Sequence, residues 1–128
     1  MNLLVLLISC SNIATHKHLL FFTKNLVQQK DRIWTESGIS GVQTCQTWTN
    51  KDGVGSYLAK FQAGASFPKH THIGWEQIVV LEGVIRFNDV EMQAGDVLQV
   101  QGIDEHEGFA VENTLVFVTH HGGIELTE

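Results

Sequence analysis

The sequence predicts an all-β fold, an antiparallel sandwich or barrel, in one domain behind an irregular N-terminal extension. Short apolar and β-branched runs recur from Val42 onward, each bounded by Gly, Asn or Asp, the signature of turn-separated strands. Twelve glycines stand against a single proline, which suits many tight turns and excludes a Pro-rich linker protein. No stretch after Val42 carries a helical hydrophobic period.

The elements follow in order. Residues 1–30 are read as an extension of uncertain order and residues 31–128 as the barrel domain. The apolar run 3–8 is far short of the ~20 residues needed to span a bilayer. Leu7-Ile8-Ser9-Cys10 resembles a lipobox, but only Met1-Asn2 precedes the run, without the positive charge of a secretory signal. A cytoplasmic protein is therefore expected, with a lipoprotein anchored through Cys10 as the alternative. His16-Lys17-His18 has no third ligand nearby and is read as solvated. Residues 19–30 fit either a short helix or an added strand.

Strands are expected over 42–48 and 56–62, separated by the Asn50-Lys51-Asp52-Gly53 turn. Another runs over 76–81. Residues 84–87 and 90–92 form a hairpin around Asn88-Asp89, and 97–100 and 115–119 complete the set. The chain has neither an internal repeat nor a second domain boundary.

Of the 128 residues, 43% are hydrophobic and the formal charge is -6 with eight Lys plus Arg. A chain of this size buries a real core. With no basic stripe, nucleic acid is not expected as a partner. Cys10 and Cys45 make neither a disulfide framework nor a CxxC pair, and Cys45 is expected as a small buried hydrophobe.

Four residues carry the chemistry: His70, His72, Glu76 and His106. On a strand, His70 and His72 share a face with roughly 6.5 Å of rise between them, so two imidazoles can converge on one ion. Pro68 keeps the approach extended. Gly74 permits a turn that returns the Glu76 carboxylate toward the same point. His106 must come from a different strand or loop. Taken singly, each has an ordinary reading: a structural histidine, a solvated glutamate, a surface histidine in an acidic loop.

Their setting decides between these readings. Gly64, five residues, His70-x-His72, three residues, Glu76, six residues and Gly83 resemble the first motif of the cupin family at every defined position. The second motif is matched at Gly95 and His106. Gln101 stands where the family has proline, Ile103 where it has glycine and Ala110 where it has asparagine, and Gly102 falls one position early. The stretch 67–83 is more closely similar to ChrR-type cupins. The anti-sigma half of those proteins carries its own Cys/His zinc motif, which this chain lacks, so only the cupin domain carries over.

The resemblance implies an antiparallel jelly-roll cupin barrel holding one divalent transition metal in its mouth through His70, His72, Glu76 and His106. Zinc or iron fits this donor set first, with manganese or nickel as further candidates. Two functions stay open. An ion with free positions suits a non-haem metal dioxygenase acting on a small molecule; a closed tetrahedral ion suits a ChrR-like zinc sensor or structural module. Cupins of this size commonly pair through an edge strand, so a homodimer is expected. The polar candidates around the site are Tyr57, Arg86, Gln99 and Gln101. Phe67 and Trp75 are candidate walls. His120-His121 is expected at an exposed strand end. Asp104, Glu105 and Glu107 are candidates to hydrogen-bond a ligating histidine.

Overall fold

The computed structural model describes residues 25–127. The apolar run 3–8, Cys10 and the His16-Lys17-His18 pair lie outside the described residues, as do residues 19–24, while 25–28 carry no regular structure. The described chain opens with a 3-10 turn, Gln29–Asp31, followed by β1 (Thr35–Glu36) and β2 (Val42–Thr49). Next come β3 (Val54–Phe61), β4 (Ser66–His72), β5 (Trp75–Glu82), β6 (Val84–Phe87) and β7 (Val90–Gln93). The last strands are β8 (Val97–Gln101), β9 (His106–Ala110), β10 (Thr114–His121) and β11 (Ile124–Leu126).

They form two antiparallel sheets. One has six strands in the order β1-β2-β3-β10-β5-β8, the other five in the order β11-β4-β9-β6-β7. Sequence neighbours β4 and β5 lie in different sheets, the crossing that makes this a jelly roll rather than a meander. Gly74 sits at that crossing, where a Cβ would lie 2.1 Å from the His121 carbonyl oxygen. Any side chain there would collide with the backbone at the end of β10.

The core follows from period-two alternation. Val116 and Val118 of β10 point inward with Ile78 and Val80 of β5, while Ile85 and Phe87 of β6 face them with Ala110 of β9. Val80, Ile85 and Ala110 are fully buried. Burying one such Val or Ile side chain contributes about 1.5–3 kcal/mol. Cys45 is buried and free, as expected. The 84–92 hairpin forms as predicted, with Phe87 opposite Val90. The short strands β1, β9 and β11 carry too little apolar alternation to be read from sequence and are set by pairing with their neighbours.

Candidate metal centre

The predicted cluster assembles across both sheets. His70 and His72 lie on β4 and His106 on β9, all in the five-stranded sheet; Glu76 enters from β5 in the other. His70 and His106 are direct cross-strand partners. The β4–β9 register shifts between Phe67 and His70. Pro68, which has no N–H to give the ladder, sits inside that irregularity. All four side chains are buried, and one donor atom from each lies within 4.8 Å of the others.

The hydrogen bonds assign the atoms. His70 Nδ1 lies 2.7 Å from the Pro68 carbonyl oxygen, which can only accept, so Nδ1 carries the proton and Nε2 keeps its lone pair. Glu76 Oε2 lies 2.6 Å from His72 Nε2 and 3.8 Å from His106 Nε2. Glu76 Oε1 accepts a 3.3 Å bond from the Tyr57 hydroxyl. The imidazole rings stand edge to face, with centroids 4.4–5.0 Å apart.

Electrostatics keep these donors ready. Burial, reinforced by His70 and His72, lowers the His106 pKa to about 3. Burial also lowers that of His70, against the opposing pull of the Pro68 carbonyl and Glu76. Both imidazoles are thus neutral at neutral pH, as ligation requires. Burial and the Glu76 charge raise the Tyr57 pKa and keep its phenol protonated.

The set fits a divalent transition ion. Three imidazoles and one carboxylate are borderline donors of the right count. Bonds of ~2.1 Å place ligand atoms at most ~4.2 Å apart, so the cluster closes on an ion with shifts of a few tenths of an ångström. Nδ1 of His72 and of His106 are buried without a partner. Asp104, Glu105 and Glu107 are exposed and none bonds them; Glu105 instead lies 3.9 Å from Lys69.

The loop before His106 explains the incomplete second motif. Gly102 takes a positive φ of 56°, and its carbonyl accepts from the His72 N–H at 2.9 Å. The displaced glycine makes the turn itself, leaving Ile103 to solvent. One contributor shows in the sequence only as a turn residue. Asn88, at φ 52°, accepts from the Glu107 N–H at 3.0 Å and donates to the Glu105 carbonyl at 3.2 Å. It clamps the backbone on both sides of His106. An Asn at a hairpin tip was the available signal, but its long-range partners are invisible in sequence.

A cavity of about 700 Å³ opens beside the donors. Phe67 and Trp75 wall it as expected, and Tyr57 is the polar candidate that lines it. Arg86 points outward over Phe109. Gln99 and Gln101 are exposed, while Val100 is buried and Leu98 packs on the core. His121 is exposed, but His120 lines the cavity instead of ending in solvent. The Tyr57 ring, 5.6 Å away, and the Gly122 carbonyl, 3.0 Å from Nδ1, hold it there.

Two antiparallel sheets with three histidines and a glutamate converging between them have the architecture of a cupin. The model of the ChrR cupin-like domain matches residues 23–125, and the chain belongs to that family. A solved RmlC-like cupin from Ralstonia eutropha JMP134 superposes with a TM-score of 0.73 at 21% identity, over 85% of this chain and 76% of that one. An acetylacetone dioxygenase from Acinetobacter johnsonii gives 0.71 at 12% identity, over 82% and 77%. The anti-sigma factor ChrR of Rhodobacter sphaeroides, in complex with SigE, gives 0.64 at 24% identity. That match covers 72% of this chain and 51% of the other, so this chain spans about half its length. At these identities the likeness is one of fold. No curated protein matches the sequence. Among the described residues, no helix is long and apolar enough to cross a membrane.

Proposed function

We propose that this cupin holds one divalent transition metal through His70, His72, Glu76 and His106 and acts on a small molecule as a non-haem metal enzyme of the dioxygenase class. Zinc or iron is the proposed ion, manganese or nickel the next. The carrying observation is that four buried donors converge at the wall of a large cavity. A closed structural site has no use for that space. When bound, an ion with free positions supplies a Lewis acid and, if redox-active, an electron relay. The chain's own residues do the rest. The Pro68 carbonyl orients His70, Tyr57 orients Glu76, and the apolar walls shape the space beside the donors. The working unit is proposed as a cytoplasmic homodimer of the 31–128 domain.

A second reading is a ChrR-like zinc sensor or structural module without catalysis. It is favoured by the family match and by the likeness to the ChrR cupin. Elemental mass spectrometry of tag-free protein purified without chelator separates the two. About one iron, manganese or nickel per chain, with oxygen uptake on small diketones or thiols, supports the enzyme. About one zinc without uptake supports the sensor. A chain that binds no metal even after incubation with these ions overturns both.

A further inference from the structure

The cavity changes character within one cross-strand row. Glu76 and His120 pair at the metal end. One row on, Ile78 and Val118 pair, and Tyr57 beside Val118 sends its hydroxyl back to Glu76. The next row holds Val116 and Ala59, and beyond them lie Phe61 and Val42. The opposite sheet repeats the change. His106 gives way to Gly108 on β9, and His70 to Phe67 on β4. From Tyr57 to Phe61 is four residues of strand, roughly 13 Å at the usual rise. Among the described residues, no lysine or arginine lines this space; its charged residues are Glu36 and Glu76.

We infer that the site takes a ligand with a compact oxygen-donor head and an uncharged, apolar body. This rests on the metal reading above, since the head is the part that faces the ion. The body would lie along the Val118, Val116 and Phe61 rows, where burial of methylenes is favourable. A second negative charge at the far end would sit among apolar walls and near Glu36, with no cation to pair it, which is strongly unfavourable. Gly108 keeps the passage open: a Cβ there would come 3.3 Å from the Phe87 ring.

Full-length protein loaded with zinc, its content verified by elemental analysis, is titrated calorimetrically with acetate, hexanoate and adipate. All three present the same carboxylate head to the ion. Hexanoate adds four methylenes, each worth roughly fourfold when fully buried, and adipate ends the same chain in a second charge. Hexanoate is expected to bind at least about tenfold tighter than either, allowing for partial burial. Adipate binding as tightly as hexanoate, or no gain from acetate to hexanoate, overturns the proposal. So does absence of hexanoate binding to protein carrying one zinc per chain. Protein that takes up no zinc instead fails at the metal reading, and the ligand inference falls with it.

Discussion

The Tyr57 hydroxyl donates to Glu76 Oε1 at 3.3 Å, while Glu76 Oε2 faces His72 and His106. The two oxygens of one carboxylate thus have separate duties. Oε1 is tied to β3 and Oε2 is presented to the imidazoles. Tyr57→Phe removes the tie and keeps the ring against His120. Partners of metal-ligating groups typically contribute 10–100-fold in affinity. Because this bond is long, we expect the low end, about tenfold weaker zinc binding in a chelator competition. Unchanged affinity would show that Glu76 is oriented by packing alone.

His72→Ala should strip the metal and lower stability, because binding free energy is folding free energy here. A loss of about 3 kcal/mol shifts Tm by roughly 10 °C in a domain of this size. The control is His121→Ala, at the exposed end of β10. It should leave metal content and Tm unchanged. Calorimetry with elemental analysis reads both, and metal loss in the His121 variant would relocate the fourth ligand.

Asn88 should matter to the metal without touching it. Asn88→Gly keeps the left-handed backbone accessible but loses the two side-chain bonds that flank His106. Zinc affinity should drop about tenfold. Asn88→Ala adds the cost of a positive φ, about 1 kcal/mol, so its Tm should fall further than that of the glycine variant. Equal Tm values would mean the backbone relaxes at that turn.

Acid should destabilise the metal-free protein through His106. Its pKa is depressed in the fold to about 3, against about 6.5 unfolded. Between these values the unfolded chain binds the extra proton, so stability rises with pH across that window and is lost as pH falls from about 6.5 toward 3. His70 shifts in the same direction. A Tm series from pH 7.5 to 4 should fall toward acid, and His106→Gln should flatten it. A flat wild-type profile would contradict the buried neutral imidazole. With metal bound the fall should be steeper, because protons also compete for the ligands.

Pairing through a sheet edge can be tested directly. Strand β8 closes one side of the six-stranded sheet, and its Val97 is 57% exposed, an open edge of the kind that pairs. Sedimentation equilibrium should report a dimer. A clean monomer would refute it and leave the edge to another explanation.

Most of the barrel was legible because strand alternation and turn residues are local signals. The hairpin around Asn88-Asp89 and the strands over 42–48, 76–81 and 97–100 follow from such short-range preferences. So does the side-by-side placement of His70 and His72. Strand β9 was less legible, since His106 to Ala110 holds a glycine, an acid and a histidine and owes its extended form to β4 and β6. The inward set on β8 was undecidable locally. Alternation separates Gln99 from Leu98 and Val100, but only the neighbouring sheet says which side is the core.

The sequence by itself determined the fold class, the donor types and their order along the chain. Those depend on residue chemistry and on spacings of a few positions. The tertiary structure decided which distant groups meet. It joined Glu76 to three histidines on the opposite sheet, turned Tyr57 and His120 inward, left the acids beside His106 in solvent and tied Asn88 to the backbone around that histidine. Each of these is a contact between segments far apart in sequence. Its occurrence depends on sheet order and register, which no local pattern encodes.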